Sequence, residues 1–282
     1  MSGKKLIINA DDFGICPETN RAVRELFQAR RITSTSLLAS ADSTDEAIEI
    51  IKAEKINFGI HLTLNSDFSE FPWRALHGYS LDDGKGFLHF DTALIRKNAR
   101  SIDVTRECEA QIKRVRDAGI YPDHLDNHSG TMYGINMRLF FINAFKLSRK
   151  YALPFRFPRR NAFLNGYFKN GIPSYIKAAH KIIIFTARMI GATIIDDIIT
   201  NPYPIKDIPD YKSLESYYLN ALSKLSPGVT EMFLHPSYPS ERFSRLTPEW
   251  RKREYELEFL MSPALERRIK DEGIEFISYK DV

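Results

Sequence analysis

Lys4-Lys5-Leu6-Ile7-Ile8-Asn9-Ala10-Asp11-Asp12-Phe13-Gly14 opens the chain with a short apolar run that ends in two adjacent carboxylates. Leu6-Ile7-Ile8 is β-prone and hydrophobic on both faces, the pattern of a strand inside a parallel sheet. Pro17 then suits the first turn of a helix, in which Ala22, Leu26 and Ala29 recur at helical spacing towards Arg31. The unit repeats. Thr33 to Leu38 is rich in β-branched residues, Ser43 and Glu46 have the spacing of a capping box for a helix to Glu54, and Asn57 to Leu64 reads as a strand.

Further units follow an irregular stretch at about residues 65–103, whose length suggests a lid or binding loop. Helix is expected over Thr105–Ala118, Asn136–Tyr151, the second half of Gly166–Ile190, Ser213–Leu225, a segment from Thr247-Pro248 to Met261, and one from Ser262-Pro263 to Glu272. Strand or extended chain is expected over His124–Asn127, Pro154–Pro158, Ala192–Thr200, Val229–Leu234 and Glu275–Tyr279. Alternating strands and helices imply a mainly parallel sheet of about seven strands. With no linker-like shift of composition, the 282 residues read as one α/β domain, a closed or nearly closed barrel, with a doubly wound open sheet as the competitor. Neither G-x-G-x-x-G nor a P-loop glycine pattern is present.

Composition is that of an ordinary globule, 43% hydrophobic and 27% charged. It excludes a wholly disordered or low-complexity chain. Two cysteines, Cys16 and Cys108, are too few for a disulfide scaffold and read as small buried hydrophobes in a reducing compartment. No signal-like start is visible, and the longest apolar stretch, Ile182 to Ile198, is broken by Arg188, Asp196 and Asp197, so a cytoplasmic protein is expected. The net charge of +4 hides an asymmetry: residues 127–195 hold eleven Lys or Arg and no acid. This basic stretch, with an apparent insertion at about 159–195, suits either a solvated face or contact with an anionic substrate, a membrane surface or nucleic acid.

Ionisable residues gather at the expected C-terminal ends of four strands, where α/β barrels place their active sites. These are Asp11-Asp12, His61 within Gly59-Ile60-His61-Leu62, His124-Leu125-Asp126-Asn127-His128, and His235-Pro236. Each alone has an ordinary structural explanation, such as a helix cap or a core histidine; four together require repeated coincidence. Two imidazoles and a carboxylate suit a divalent ion with open positions. Because successive strand residues alternate in direction, Asp11 and Asp12 are expected to point apart, one on the metal and the other free as a base. Asp126 is a partner that would fix an imidazole tautomer.

At this point the sequence resembles the YdjC-like carbohydrate deacetylases. The resemblance rests on Asn9-Ala10-Asp11-Asp12-Phe13-Gly14, Gly59-Ile60-His61-Leu62, His124-Leu125-Asp126-Asn127-His128, Glu231-Met232-Phe233-Leu234-His235-Pro236 and the closing Arg253-x-x-Glu256-Leu257-x-x-Leu260, then Gly273-Ile274-x-Phe276-Ile277. It implies a distorted TIM-like barrel, often a homodimer, that uses one divalent ion to remove acetyl groups from N-acetylated sugars. Asp12, His61 and His128 would be the metal ligands, Asp11 the general base, His235 the general acid, and Arg156 the arginine that orients the base. The mixed ligands accommodate zinc, manganese, cobalt, iron or magnesium. No nucleic-acid partner is expected. Two competing readings are a non-catalytic module that uses the basic stretch to bind anionic surfaces or nucleic acid, and a non-heme iron oxygenase, whose facial triad has the same ligand types.

Overall fold

In a computed structural model that describes residues 3–134, 137–168 and 170–282, the chain folds as one α/β domain around a curled, seven-stranded sheet. The strands are β1 (Lys4–Phe13), β2 (Ser34–Leu37), β3 (Phe58–Leu62), β4 (His124–Asn127), β5 (Asp197–Ile199), β6 (Gly228–Leu234) and β7 (Glu275–Phe276). Their order is β4-β3-β2-β1-β6-β5, with the short β7 beside the first half of β1, and every strand pair is parallel. Phe155 bridges the remaining edges, pairing in parallel with Leu125 on one side and Ile194 on the other. The sheet thus curls into a TIM-like fold, as the alternating pattern implied, and the open doubly wound alternative fails.

Leu6, Ile8 and Ala10 on β1, with Ile60, Leu62 and Leu125 from neighbouring strands, are fully buried in the main core. Helices α1 (Pro17–Gln28), α2 (Thr44–Glu54), α3 (Thr92–Asn98), α4 (Ser101–Asp117), α5 (Phe141–Tyr151), α6 (Ser174–Ile190), α7 (Tyr211–Ser223), α8 (Glu241–Ser244), α9 (Trp250–Met261) and α10 (Pro263–Asp271) complete the domain. Pro17 does open α1, and Ser262 does cap α10 by accepting from the Leu265 N–H.

Several sequence expectations need adjustment. The capping box at Ser43 does not form, because Asn20 donates to Glu46 Oε2 at 2.7 Å and so draws that carboxylate to α1. Extended chain at Pro154–Pro158 contributes only the two isolated bridges of Phe155, to Leu125 and to Ile194, and the last strand stops after two residues before a helical turn at Tyr279–Asp281. Residues 65–103 are not shapeless: antiparallel bridges Arg74–Phe87 and Asp82–Leu88, α3 and the start of α4 lie inside them. Asn136, the expected start of the helix to Tyr151, lies outside the described residues; within them α5 begins at Phe141.

Candidate metal centre

β1 carries the floor of the site. Against β2, Ala10 faces Thr35 and Phe13 faces Leu37, so β1 holds one residue too many and bulges at Asp11-Asp12. Asp12 takes a left-handed φ of 65°, uncommon for a non-glycine residue, and Gly14 at φ 99° completes the turn. A Cβ on Gly14 would meet Leu38 O and Thr44 Cα at 3.2 Å, which explains glycine there. The bulge corrects the expectation that the two carboxylates point apart: His61 Nε2 lies 3.3 Å from Asp12 Oδ1 and 3.9 Å from Asp11 Oδ2. Regular strand alternation fails where the strand is irregular.

His61 stands on β3 and His128 just beyond β4. Their rings meet edge to face, with centroids 5.2 Å apart, and His128 Nδ1 is 3.2 Å from Asp12 Oδ1. Asp12, His61 and His128, all buried, each offer a ligand atom, and those atoms lie within 4.8 Å of one another. Asp126 Oδ1 sits 2.7 Å from His61 Nδ1, leaving Nε2 to face Asp12. A histidine oriented from behind by a carboxylate is a common arrangement at metal sites. Gly59 has its own reason: a Cβ there would fall 2.4 Å from the His124 ring, which stacks on Tyr279 with centroids 3.8 Å apart.

Arg156 fills the space behind Asp11. It is 1% exposed, donates from Nη1 and Nη2 to the two Asp11 oxygens at 2.7 Å each, and donates from Nε to Glu231 Oε1 at 2.8 Å. Nη2 also lies 2.6 Å from Asp126 Oδ2. Asn9 donates to Asp11 at 2.7 Å, Ser36 to Asp126, and Tyr279 to Glu231. One guanidinium therefore serves three buried carboxylates. Asp11, His61 and Asp126 also have ligand atoms close enough for an ion, but Arg156 already supplies a cation there. The cluster that fits a metal is Asp12, His61 and His128.

The electrostatics follow from these contacts. Burial alone would lower the His61 pKa, but Asp126, Asp11 and Asp12 outweigh it and raise the imidazole to about 10. Burial likewise opposes charge on His128, yet Asp67 and Asp12 raise it to about 9. Asp12 is held well below the usual carboxylate range: burial pushes upward, and Arg253 with the two histidines more than reverses it. Glu231 goes the other way, raised by burial that Arg156 only partly offsets.

His235, after β6, is the accessible member, with its side chain 34% exposed. Its Nε2 lies 3.9 Å from Asp11 Oδ2, while its backbone N–H donates to Glu256 Oε2 at 2.7 Å. All seven residues singled out from the sequence, Asp11, Asp12, His61, Asp126, His128, Arg156 and His235, thus line or support one site. Sequence reasoning gave no role to Asp67, whose Oδ1 lies 2.6 Å from His128 Nε2, to Glu231, or to Arg253, which donates to Asp12 Oδ2 at 2.6 Å. Glu231 had a readable signal, a lone charge in an otherwise apolar strand. Asp67, in an irregular loop, had none. Asp67 and Arg253 share an adjoining cleft of about 430 Å³ with Phe68, Phe90 and Trp250, so the polar centre opens beside a partly aromatic wall.

Fold and centre together define a parallel β/α-barrel protein with two histidines and a carboxylate buried at one end of its strands. The chain belongs to the YdjC-like protein family, whose profile matches residues 5–271. It is 26% identical over 282 residues to a carbohydrate deacetylase of Listeria monocytogenes, covering 99% of this chain and all of that one. With a carbohydrate deacetylase of Enterococcus faecalis it shares 34% identity over 173 residues, 60% of this chain and 64% of the relative. A crystal structure from Enterococcus faecalis, described as a candidate cellobiose-phosphate cleavage protein, superposes with a TM-score of 0.78 at 25% identity over 99% of both chains.

Proposed function

We propose that the protein is a metal-dependent hydrolase that removes acetyl groups from N-acetylated sugars or oligosaccharides. The observation that carries this reading is the convergence of Asp12, His61 and His128 within 4.8 Å of one another beside an Asp11 clamped by Arg156. The names of its full-length relatives, carbohydrate deacetylases, agree.

A divalent ion held by Asp12, His61 and His128 would polarise the acetyl carbonyl and acidify bound water, in the extreme from a pKa of 15.7 to about 7. The chain's own residues supply the rest. Asp11, aimed by the two parallel Arg156 hydrogen bonds, accepts the proton that water loses on attack. His235, near Asp11 but open to solvent, delivers a proton to the departing amine, without which amide cleavage stalls. Asp126 fixes the His61 tautomer through Nδ1, and Asp67 plays the corresponding part for His128 through Nε2.

The test is acetate release from N-acetylated mono- and oligosaccharides with zinc, magnesium, manganese or cobalt added to metal-stripped protein. Equal amounts of acetate and free amine are expected from at least one substrate with at least one metal. No acetate from any pairing, with the protein folded, would refute the proposal.

A further inference from the structure

Away from the site, α6 exposes an apolar face that no described residue covers. Of its seventeen residues only His180 and Ala187 are buried, with Ile183, Ile184 and Ile190 half-buried against the main core. The opposite face carries Tyr175, Ile182, Phe185 and Met189 at spacings of seven, three and four, a single helical stripe. These four side chains are 71%, 64%, 62% and 66% exposed. A helix needs one apolar face to pack on its core; α6 has two.

Along one flank of the exposed stripe run Lys177, Lys181 and Arg188, again at helical spacing. Where α6 ends, Lys146, Arg149 and Lys150 of α5 line a shallow depression of about 530 Å³ with Met189 and Ile190. Arg149 donates to Ile190 O of α6 at 2.9 Å and Lys150 pairs with Glu109 of α4 at 2.6 Å, so the neighbouring helices hold this basic rim in place. The whole stretch from 127 to 195 lacks an acidic residue.

We propose that α6 docks the protein on an anionic lipid surface, its Tyr-Ile-Phe-Met stripe entering the headgroup boundary and its basic flank meeting lipid phosphates. A helix with a large apolar stripe beside Lys and Arg lies in such an interface rather than across it. Consistently, no described helix is long and apolar enough to cross a membrane. Charge complementarity selects lipid over a second copy of the chain. Two α6 helices packed antiparallel about a two-fold axis, stripe against stripe, would bring their own cationic rows to the same side with no acid in the segment to neutralise them, whereas a phosphate layer supplies the opposite charge. The proposal does not depend on the hydrolase reading.

Sedimentation of the full chain with vesicles tests it, comparing pure phosphatidylcholine with an equal mixture of phosphatidylcholine and phosphatidylglycerol. Binding to the mixed vesicles alone is expected. Phe185→Asn with Ile182→Asn should weaken it at least tenfold, as should joint reversal of Lys177, Lys181 and Arg188 to Glu, while catalysis on soluble substrates stays unchanged. Failure to bind either vesicle would overturn the proposal. So would binding indifferent to both sets of variants, or a dimer in solution that Phe185→Asn dissociates, which would give the face to a second copy.

Discussion

Asp11 and Asp12 are consecutive in the chain and both reach His61, yet each keeps different company. Asp11 belongs to an enclosed network in which Arg156, Glu231, Asp126, Asn9, Ser36 and Tyr279 satisfy one another's charges and donors away from water. Asp12 belongs to the rim, where it meets His61, His128 and Arg253 beside a cleft, and where His235 is a third exposed. The difference separates two duties. The inner network sets geometry through buried charge pairs, which is costly to break; the second group offers buried ligand atoms, with the partly exposed His235 as the proton donor beside them.

The largest expected effect joins the two regions. Asp11→Asn keeps the side chain's shape but removes its capacity to accept a proton, so acetate release should fall by about 10³-fold or more; activity near wild type would remove Asp11 from the chemistry. Arg156→Met probes the inner region alone. It strands three buried carboxylates and should cost about 3–5 kcal/mol in denaturant unfolding, whereas a loss under about 1 kcal/mol would mean that the network contributes little.

His124 provides a titration of the same inner region. Burial opposes its charge, but Asp123 and Asp126 raise its pKa from 6.5 to about 9. A pKa raised on folding stabilises fully below 6.5, and that contribution is lost as pH rises through about 9. The stability advantage of wild type over His124→Gln should therefore shrink across this window, by no more than about 3 kcal/mol. An advantage that grows with pH would contradict the charged, carboxylate-paired histidine. On the rim, His235→Ala should slow turnover by about 10²-fold while changing unfolding stability by less than about 1 kcal/mol, because its ring is partly in water. A large stability loss there would erase the distinction between rim and network.

Much of this was legible in the sequence, for physical reasons. Apolar runs ending in Asp or His mark strands whose C-terminal ends converge, because parallel strands joined by helices all start at one end of a barrel. The alternation rule failed at Asp11-Asp12 because a bulge with a left-handed residue breaks the period of two that the rule assumes. Asp67 was invisible because a loop carries no periodicity, although it reaches His128 across a gap of 61 residues. Arg253 and Glu256 sit one turn apart on α9, and their shared service to Asp12 and to the His235 backbone appears only once the helix is docked. The expected strand at Ala192–Thr200 shortened to Asp197–Ile199 because Phe155 and Ile194 make only a single bridge there.

Metal stoichiometry, measured by elemental analysis of the wild type and of Asp11→Asn, Asp12→Ala and His61→Ala after loading and desalting, bears most directly on the account. One ion per chain should remain in wild type and Asp11→Asn and vanish from the other two. An ion that survives Asp12→Ala but departs with Asp11→Asn would place the cation in the Asp11, His61 and Asp126 group, where Arg156 now stands, and would overturn the division between clamped base and metal ligand.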